Sequence, residues 1–297
     1  MATPSQPISN DFLILDGAWG TELQALGLEP GACPDAWNLD HAERVEAVAR
    51  RYVGAGSQII LTNTFGANRI GLSRHGLTAQ AAEINRRGAR ISRRAAAGRA
   101  RVYASIGPSG KLLAMGDVSE TELAEAFNEQ AQALAEGGAD GLVLETFTDL
   151  DELGIALHSA QRTGLPVVAC MVFDSGASND RTTLSVTPEK AAKALSEAGA
   201  DVIGANCGRG VEGYVPICRR LRACTDRPLW IKPNAGLPKL VDGQITYEIS
   251  PTQFADGVLE LIAAGATMVG GCCGTSPQFV RAIAEAIGVY PSTSAIR

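Results

Sequence analysis

Long apolar runs are missing from this chain of 297 residues, and none approaches the ~20 consecutive residues that a membrane span needs. Excess positive charge is missing too. Lys and Arg number 26 against 32 Asp and Glu, giving a formal net charge of −6 and a pI near 5.2. That balance removes the electrostatic reason to expect nucleic acid or an anionic membrane as partner. The start, Met1-Ala2-Thr3-Pro4-Ser5-Gln6-Pro7, has neither a basic segment nor an apolar core, so no signal peptide is expected. Histidine is scarce: His41, His75 and His158 all fall on predicted helices or in a loop before one, which argues against imidazole ligands. No linker, low-complexity tract or repeat of a whole subdomain interrupts the chain. The seven cysteines are odd in number and lack framework spacing. They suit a reducing compartment and a metal or catalytic role better than disulfides, so a cytoplasmic protein is expected.

What is present is a recurring unit of strand, loop and helix. Apolar runs predict strands over 12–16, 58–62, 101–106, 141–145, 166–172, 202–206, 228–232 and 267–269. Helical patterns follow them at 42–54, 79–97, 119–136, 150–163, 188–198, 214–223, 251–264 and 278–287. Gly138-Ala139, Gly199-Ala200 and Gly265-Ala266 stand just before strands, where helices would cap and turn back. Strands apolar throughout and separated by helices mean a parallel sheet covered by helices. Eight such units predict a single-domain α/β fold, a (β/α)8 TIM barrel over 12–288. Tails are expected at 1–11, disordered or extended, and at 289–297.

Active sites of such barrels lie at the C-terminal ends of the strands. Two adjacent cysteines, Cys272 and Cys273, sit there between glycines, in Gly270-Gly271-Cys272-Cys273-Gly274-Thr275. Adjacent side chains on a strand point to opposite faces. The pair can meet one partner only if the chain leaves the strand, which the glycines permit. A vicinal disulfide would be a strained ring, and two thiolates on one metal is the better reading. Cys207, ending the sixth strand on the same rim, supplies a third thiol. Three protein ligands with an open position is the pattern of catalytic zinc; the alternative is that Cys207 is merely a small buried residue. Cys170, mid-strand, and Cys218 and Cys224, on a predicted helix, read as packing, and Cys33 in the first loop stays open between roles.

Three thiolates make Zn²⁺ electron-rich and poorly suited to acidifying water. A substrate thiol is different, because binding to zinc deprotonates it outright. Asp16 and Glu145 end the first and fourth strands and suit an ammonium group, unless they form structural ion pairs or caps. Gly17, Gly20 and Thr21 lie in a glycine-rich turn, Asp16-Gly17-Ala18-Trp19-Gly20-Thr21, whose backbone N–H groups could take a carboxylate. Thiol, ammonium and carboxylate together describe an amino acid such as homocysteine.

These motifs resemble the homocysteine S-methyltransferases, a family that includes the homocysteine-binding module of cobalamin-dependent methionine synthase and betaine–homocysteine methyltransferase. The likeness runs over about 12–287. It rests on the first turn above, Thr62-Asn63-Thr64-Phe65-Gly66-Ala67, Gly107-Pro108-Ser109-Gly110, Glu145-Thr146, Gly204-Ala205-Asn206-Cys207-Gly208, Lys232-Pro233-Asn234-Ala235-Gly236-Leu237-Pro238 and the cysteine pair. The resemblance implies zinc on Cys207, Cys272 and Cys273, with the substrate thiolate in the fourth position. It implies amino-group contacts from Asp16 and Glu145, and Asn234 as a provisional ligand when substrate is absent, where the plainer alternative is a turn cap. The betaine enzyme carries aromatic residues around its quaternary ammonium group. The corresponding positions here are Cys33, Gly66 and Thr146, with Trp19, Trp37, Phe65 and Phe147 nearby as possible substitutes. No Asp-x-His-x-x-Gly cobalamin signature occurs. The expected donor is therefore a methylcorrinoid on a separate protein, and the expected product methionine. The alternatives are a small donor (betaine, S-methylmethionine or S-adenosylmethionine), a homocysteine-binding subunit without independent activity, or an amino-acid-binding barrel whose zinc is structural or absent.

Overall fold

The computed structural model describes residues 12–237, 239–241 and 244–289. The tail expected at 1–11, the tail expected at 289–297 from residue 290 onward, and Pro238 of the quoted motif lie outside the described residues. Eight parallel strands form the main sheet: β1 Leu13–Ile14, β2 Ile59–Ile60, β3 Arg101–Ile106, β4 Gly141–Phe147, β5 Val167–Met171, β6 Val202–Cys207, β7 Leu229–Pro233 and β8 Met268–Val269. Each is followed by its helix: α1 Ala42–Ala55, α2 Ala81–Ala96, α3 Glu120–Glu136, α4 Leu150–Gln161, α5 Pro188–Glu197, α6 Val211–Arg222, α7 Pro251–Ala263 and α8 Pro277–Ala286. The sheet order, β1-β8-β7-β6-β5-β4-β3-β2, is the chain order wrapped around a nearly closed ring. This is the (β/α)8 barrel that eight strand–helix units predict. Among the described residues no helix is long and apolar enough to cross a membrane.

Local signals place the helices. Ser119 and Ser250 open α3 and α7 with reciprocal capping boxes to Glu122 and Gln253. Ser276 accepts from Gln278 N ahead of Pro277 to open α8. Gly138, Gly199 and Gly265 turn the chain back with φ of 91°, 80° and 107°, as expected. α6 starts at Val211, earlier than the pattern from 214 suggests, because Gly210 leads straight into it. Its end at Arg222 leaves Cys224 outside the helix and exposed, so Cys224 is not a packing residue; Cys218 and Cys170 are buried as expected.

β1, β2 and β8 are shorter than their apolar runs. At the β1–β2 seam the ladder is replaced largely by side chains. Gln58 N donates to Ile14 O at 2.8 Å, but Ile14 N donates to the Gln58 side chain (Oε1, 2.9 Å) and Leu61 N to Asp16 Oδ2 (2.7 Å). These bonds satisfy buried N–H groups that a ladder would otherwise pair.

The barrel encloses its own core. Leu15, Ile59, Tyr103, Val143, Val168 and Trp230 point inward, and the Tyr103 and Trp230 rings stack with centroids 6.0 Å apart. Further along the same face of β3, β4, β6 and β7 the residues are polar: Ser105, Glu145, Asn206 and Lys232. The interior is thus an apolar floor under a polar mouth at the C-terminal end.

Candidate metal centre

The mouth is assembled from the ends of β1, β6, β7 and β8, knitted together by backbone hydrogen bonds. Cys272 N donates to Pro233 O (2.8 Å), Ala235 N to Cys273 O (2.9 Å), Asn234 N to Cys207 O (3.2 Å) and Gly271 N to Asp16 O (3.1 Å). Gly270 and Gly271 are required by proximity. A Cβ on Gly270 would lie 2.6 Å from Asp16 O, and one on Gly271 would collide with the Thr275 side chain. Cys207 closes β6 with φ of 66°, a left-handed conformation that turns its thiol out of the strand register. The outcome is that the Sγ atoms of Cys207, Cys272 and Cys273 all lie within 4.8 Å of one another. Among the described residues no other set of histidine, cysteine or carboxylate groups converges in this way.

The three thiols are strongly coupled. Contacts from Cys272 and Cys273 pull Cys207 down to about 3, against burial and with help from the Gly208 N–H and Asn234. The same contact with Cys207 pushes the other two up, Cys273 to about 11. One negative charge is in effect shared among three sulfurs, and a cation among them would let all three ionise. Asn234 adds an independent observation. It is 6% exposed, its Nδ2 donates to Gly208 O at 2.6 Å, and its buried Oδ1 has no hydrogen-bond partner among the described residues. Three convergent thiols beside an orphaned carbonyl oxygen fit a metal ion of zinc's preferences.

Beneath the thiols lies a buried charge network. Asp16, 0% exposed, accepts from Trp19 Nε1 (2.7 Å), Leu61 N (2.7 Å) and Lys232 Nζ. Burial alone would lower the Lys232 pKa, but attraction to Asp16 and then Glu145 outweighs it and holds the pKa above its usual value. Glu145 sits on a β-bulge, where β4 shifts register against β5 between Leu144 and Phe147 and Thr146 has φ of 64°. Its Oε1 accepts from Ser105 Oγ, and its Oε2 from Asn206 Nδ2 at 3.4 Å. Burial raises the Glu145 carboxyl above its ordinary range, opposed by Lys232 and Ser105. Asn206 also braces the bulge, accepting from Thr146 N (2.8 Å) and donating to Thr146 Oγ1 (2.6 Å).

The remaining expected residues fall around the rim. Gly17 is buried, and a Cβ there would sit 2.8 Å from Tyr52 Oη and from Thr275 Oγ1. Gly20 is exposed in the first turn of the short helix Trp19–Ala25, whose N-cap Ala18 supplies no side-chain cap. Thr21 Oγ1 accepts from Gly274 N at 3.5 Å, linking that helix to the cysteine loop. Cys33 is buried beside Asp35, with its Sγ 3.8 Å from Asp35 Oδ2. Lys232, Asn206 and Ser105 were not singled out as site residues from sequence. Lys232 left a signal, a lone lysine in the otherwise apolar strand Leu229-Trp230-Ile231-Lys232-Pro233.

The class defined by this geometry is a (β/α)8 barrel with three convergent cysteines at its C-terminal mouth. The chain belongs to the homocysteine S-methyltransferase family, whose sequence profile matches residues 13–287. It is 31% identical to methionine synthase of Mycobacterium tuberculosis (strain ATCC 25618 / H37Rv) over 94% of this chain and 25% of that protein. It is 30% identical to methionine synthase of Mycobacterium leprae (strain TN) over 95% of this chain and 25% of that one. The chain therefore spans about a quarter of the length of the curated relatives it matches. Among solved structures, the metallated form of the homocysteine methyltransferase MmuM from Escherichia coli superposes with a TM-score of 0.77 at 25% identity, covering 92% of this chain and 96% of that one.

Proposed function

We propose that the protein transfers a methyl group to homocysteine, giving methionine, with Zn²⁺ on Cys207, Cys272 and Cys273. The observation that carries this reading is the convergence of three thiols beside the unpaired Asn234 Oδ1. Zinc bound there would hold a substrate thiol as a nucleophilic thiolate at neutral pH. Asn234 would offer its unpartnered amide oxygen to the metal, a harder donor than the thiol of a substrate. Glu145, with Asp16 behind it, provides the negative ground for the amino group. The uncapped first turn at Gly20 and Thr21, next to Gly17, offers N–H groups to the carboxylate. Asn206 and Ser105 orient Glu145, and the Tyr103–Trp230 floor excludes water from below.

The donor we infer is a methylcorrinoid carried outside this barrel. Among the described residues, the large hydrophobic side chains that stand exposed are Phe65, Leu112, Met115, Leu184 and Leu237. All five lie on loops that leave the C-terminal ends of strands, around the mouth. Apolar side chains exposed on this one end of the barrel would suit a surface that meets another macromolecule. The second reading, a small methyl donor, draws on the aromatic side chains at the mouth, Phe65, which is exposed, and Trp19, which bonds to Asp16. Zinc-loaded protein offered homocysteine with methylcobalamin, S-methylmethionine, S-adenosylmethionine or betaine separates the two. Methionine formed from methylcobalamin alone supports the first; turnover with a small sulfonium or ammonium donor replaces it with the second.

A further inference from the structure

The two carboxylates of the mouth are not equivalent. Asp16 accepts three hydrogen bonds from groups of the protein itself, Trp19 Nε1, Leu61 N and Lys232 Nζ, and is fully buried. Lys232 is 1% exposed and has the Asp16 carboxylate as its ion-pair partner. Glu145 is 7% exposed and less committed, since its second oxygen is met only by Asn206 Nδ2 at a loose 3.4 Å. Lys232 also lies in the electrostatic field of Glu145. An ammonium group therefore already occupies the Asp16 side of the place where two carboxylates would clasp an amino acid.

We propose that Lys232 is a specificity-determining positioning residue, a resident ammonium that commits Asp16 to the protein and leaves Glu145 alone to read the amino group of the incoming thiol. The proposal rests on the reading of this mouth as a homocysteine site. Its physical content is charge matching. Without Lys232 two buried carboxylates face one cation, and with it each carboxylate has its own. Truncation at Cβ would open a space matching n-propylammonium, the part of the side chain removed.

The test measures binding to the zinc-loaded protein of homocysteine and of 4-mercaptobutyrate, which lacks only the amino group. Wild type should prefer homocysteine by about thirtyfold or more, the usual scale for a buried charged contact. Glu145→Gln should bring the ratio close to one. Asp16→Asn should weaken both ligands together and keep the ratio. Lys232→Ala should lose homocysteine binding and regain it with n-propylammonium but not with n-propanol, a pattern that a purely structural role would not produce. A ratio that collapses in Asp16→Asn as in Glu145→Gln overturns the proposal, as does equal rescue by the alcohol or none by the amine in folded Lys232→Ala. If Lys232→Ala does not fold, the Asp16 and Glu145 ratios decide alone. Wild-type protein that carries zinc yet binds no homocysteine overturns the parent reading, and this one with it.

Discussion

The barrel has two unlike sectors. β3 to β7 run for five to seven residues each and pair through ladders, interrupted by the bulge between β4 and β5. β8, β1 and β2 contribute two residues each. In the short sector Gln58, Asp16 and Ser57 bond to backbone groups along the seam. The centre draws on both, Cys207 from the end of β6 and the cysteine pair from beyond β8. Regular pairing builds a wall, and its early termination frees backbone and side chains to face the mouth. Asp16 does both jobs, closing the seam and anchoring Lys232.

The largest effect should come from removing a thiol on either side. Cys207→Ala, Cys272→Ala and Cys273→Ala should each abolish tight zinc binding and activity while leaving the far-ultraviolet circular dichroism unchanged, because the thiols lie on loops outside the core. Full metal content in all three variants would remove the assignment. Next comes Asp16→Ala, which strands the buried Lys232 ammonium and deprives Trp19 Nε1 and Leu61 N of their acceptor. A loss of about 3–5 kcal/mol is expected in urea unfolding. A loss below about 1 kcal/mol would mean that the seam does not depend on side chains.

Asp35 sharpens the comparison through pH. It ties the loop after β1 to the loop after β2 by accepting from Gly66 N at 3.1 Å, and burial raises its pKa from 3.8 to about 6. The folded chain thus holds the proton more tightly than the unfolded one. The stabilisation from this group is complete below about pH 4, declines toward pH 6 and is absent above it. Asp35→Asn keeps an acceptor for Gly66 N and removes that slope, a gain over wild type of at most about 3 kcal/mol at pH 7 and none at pH 4. Apo-protein unfolding at the two pH values reads the difference; equal offsets at both would place the titration elsewhere. The smallest contrast sets Gln58→Ala, which orphans Ile14 N in the short sector, against Asp201→Ala, which removes the acceptor of Val167 N (2.8 Å) in the long one. The first should cost about 1–3 kcal/mol and the second about 1 kcal/mol or less, since Asp201 is exposed and water can replace it. Equal losses would erase the distinction between the sectors.

The count of strands was legible because apolar runs report burial on both faces, and so was the rim, because it follows from where those runs end. The cysteine trio was legible for the same reason, as three thiols at strand ends of a closed ring must converge. Ladder length was not. Ile14 and Leu61 are as buried as paired residues would be, so hydropathy cannot show that their N–H groups bond to the side chains of Gln58 and Asp16. The bulge at Thr146 was hidden too, because its left-handed φ falls on a threonine rather than a glycine. Trp19–Ala25 and the paired strands Lys239–Val241 and Gln244–Thr246 are too short for periodicity to register. Lys232 was visible as an oddity in its strand, but its partner Asp16 is 216 residues away in sequence. Only the sheet order β1-β8-β7 brings the two together.

The stacked rings of Tyr103 and Trp230 carry a kinetic consequence. They seal the barrel from below, so both reactants and both products share one doorway. Under the proposed function, a donor seated on the rim would block that doorway, and homocysteine would have to be inside before it arrives. Compulsory-order kinetics follow, with the thiol first on and methionine last off. Methionine should then inhibit competitively against homocysteine and noncompetitively against the donor.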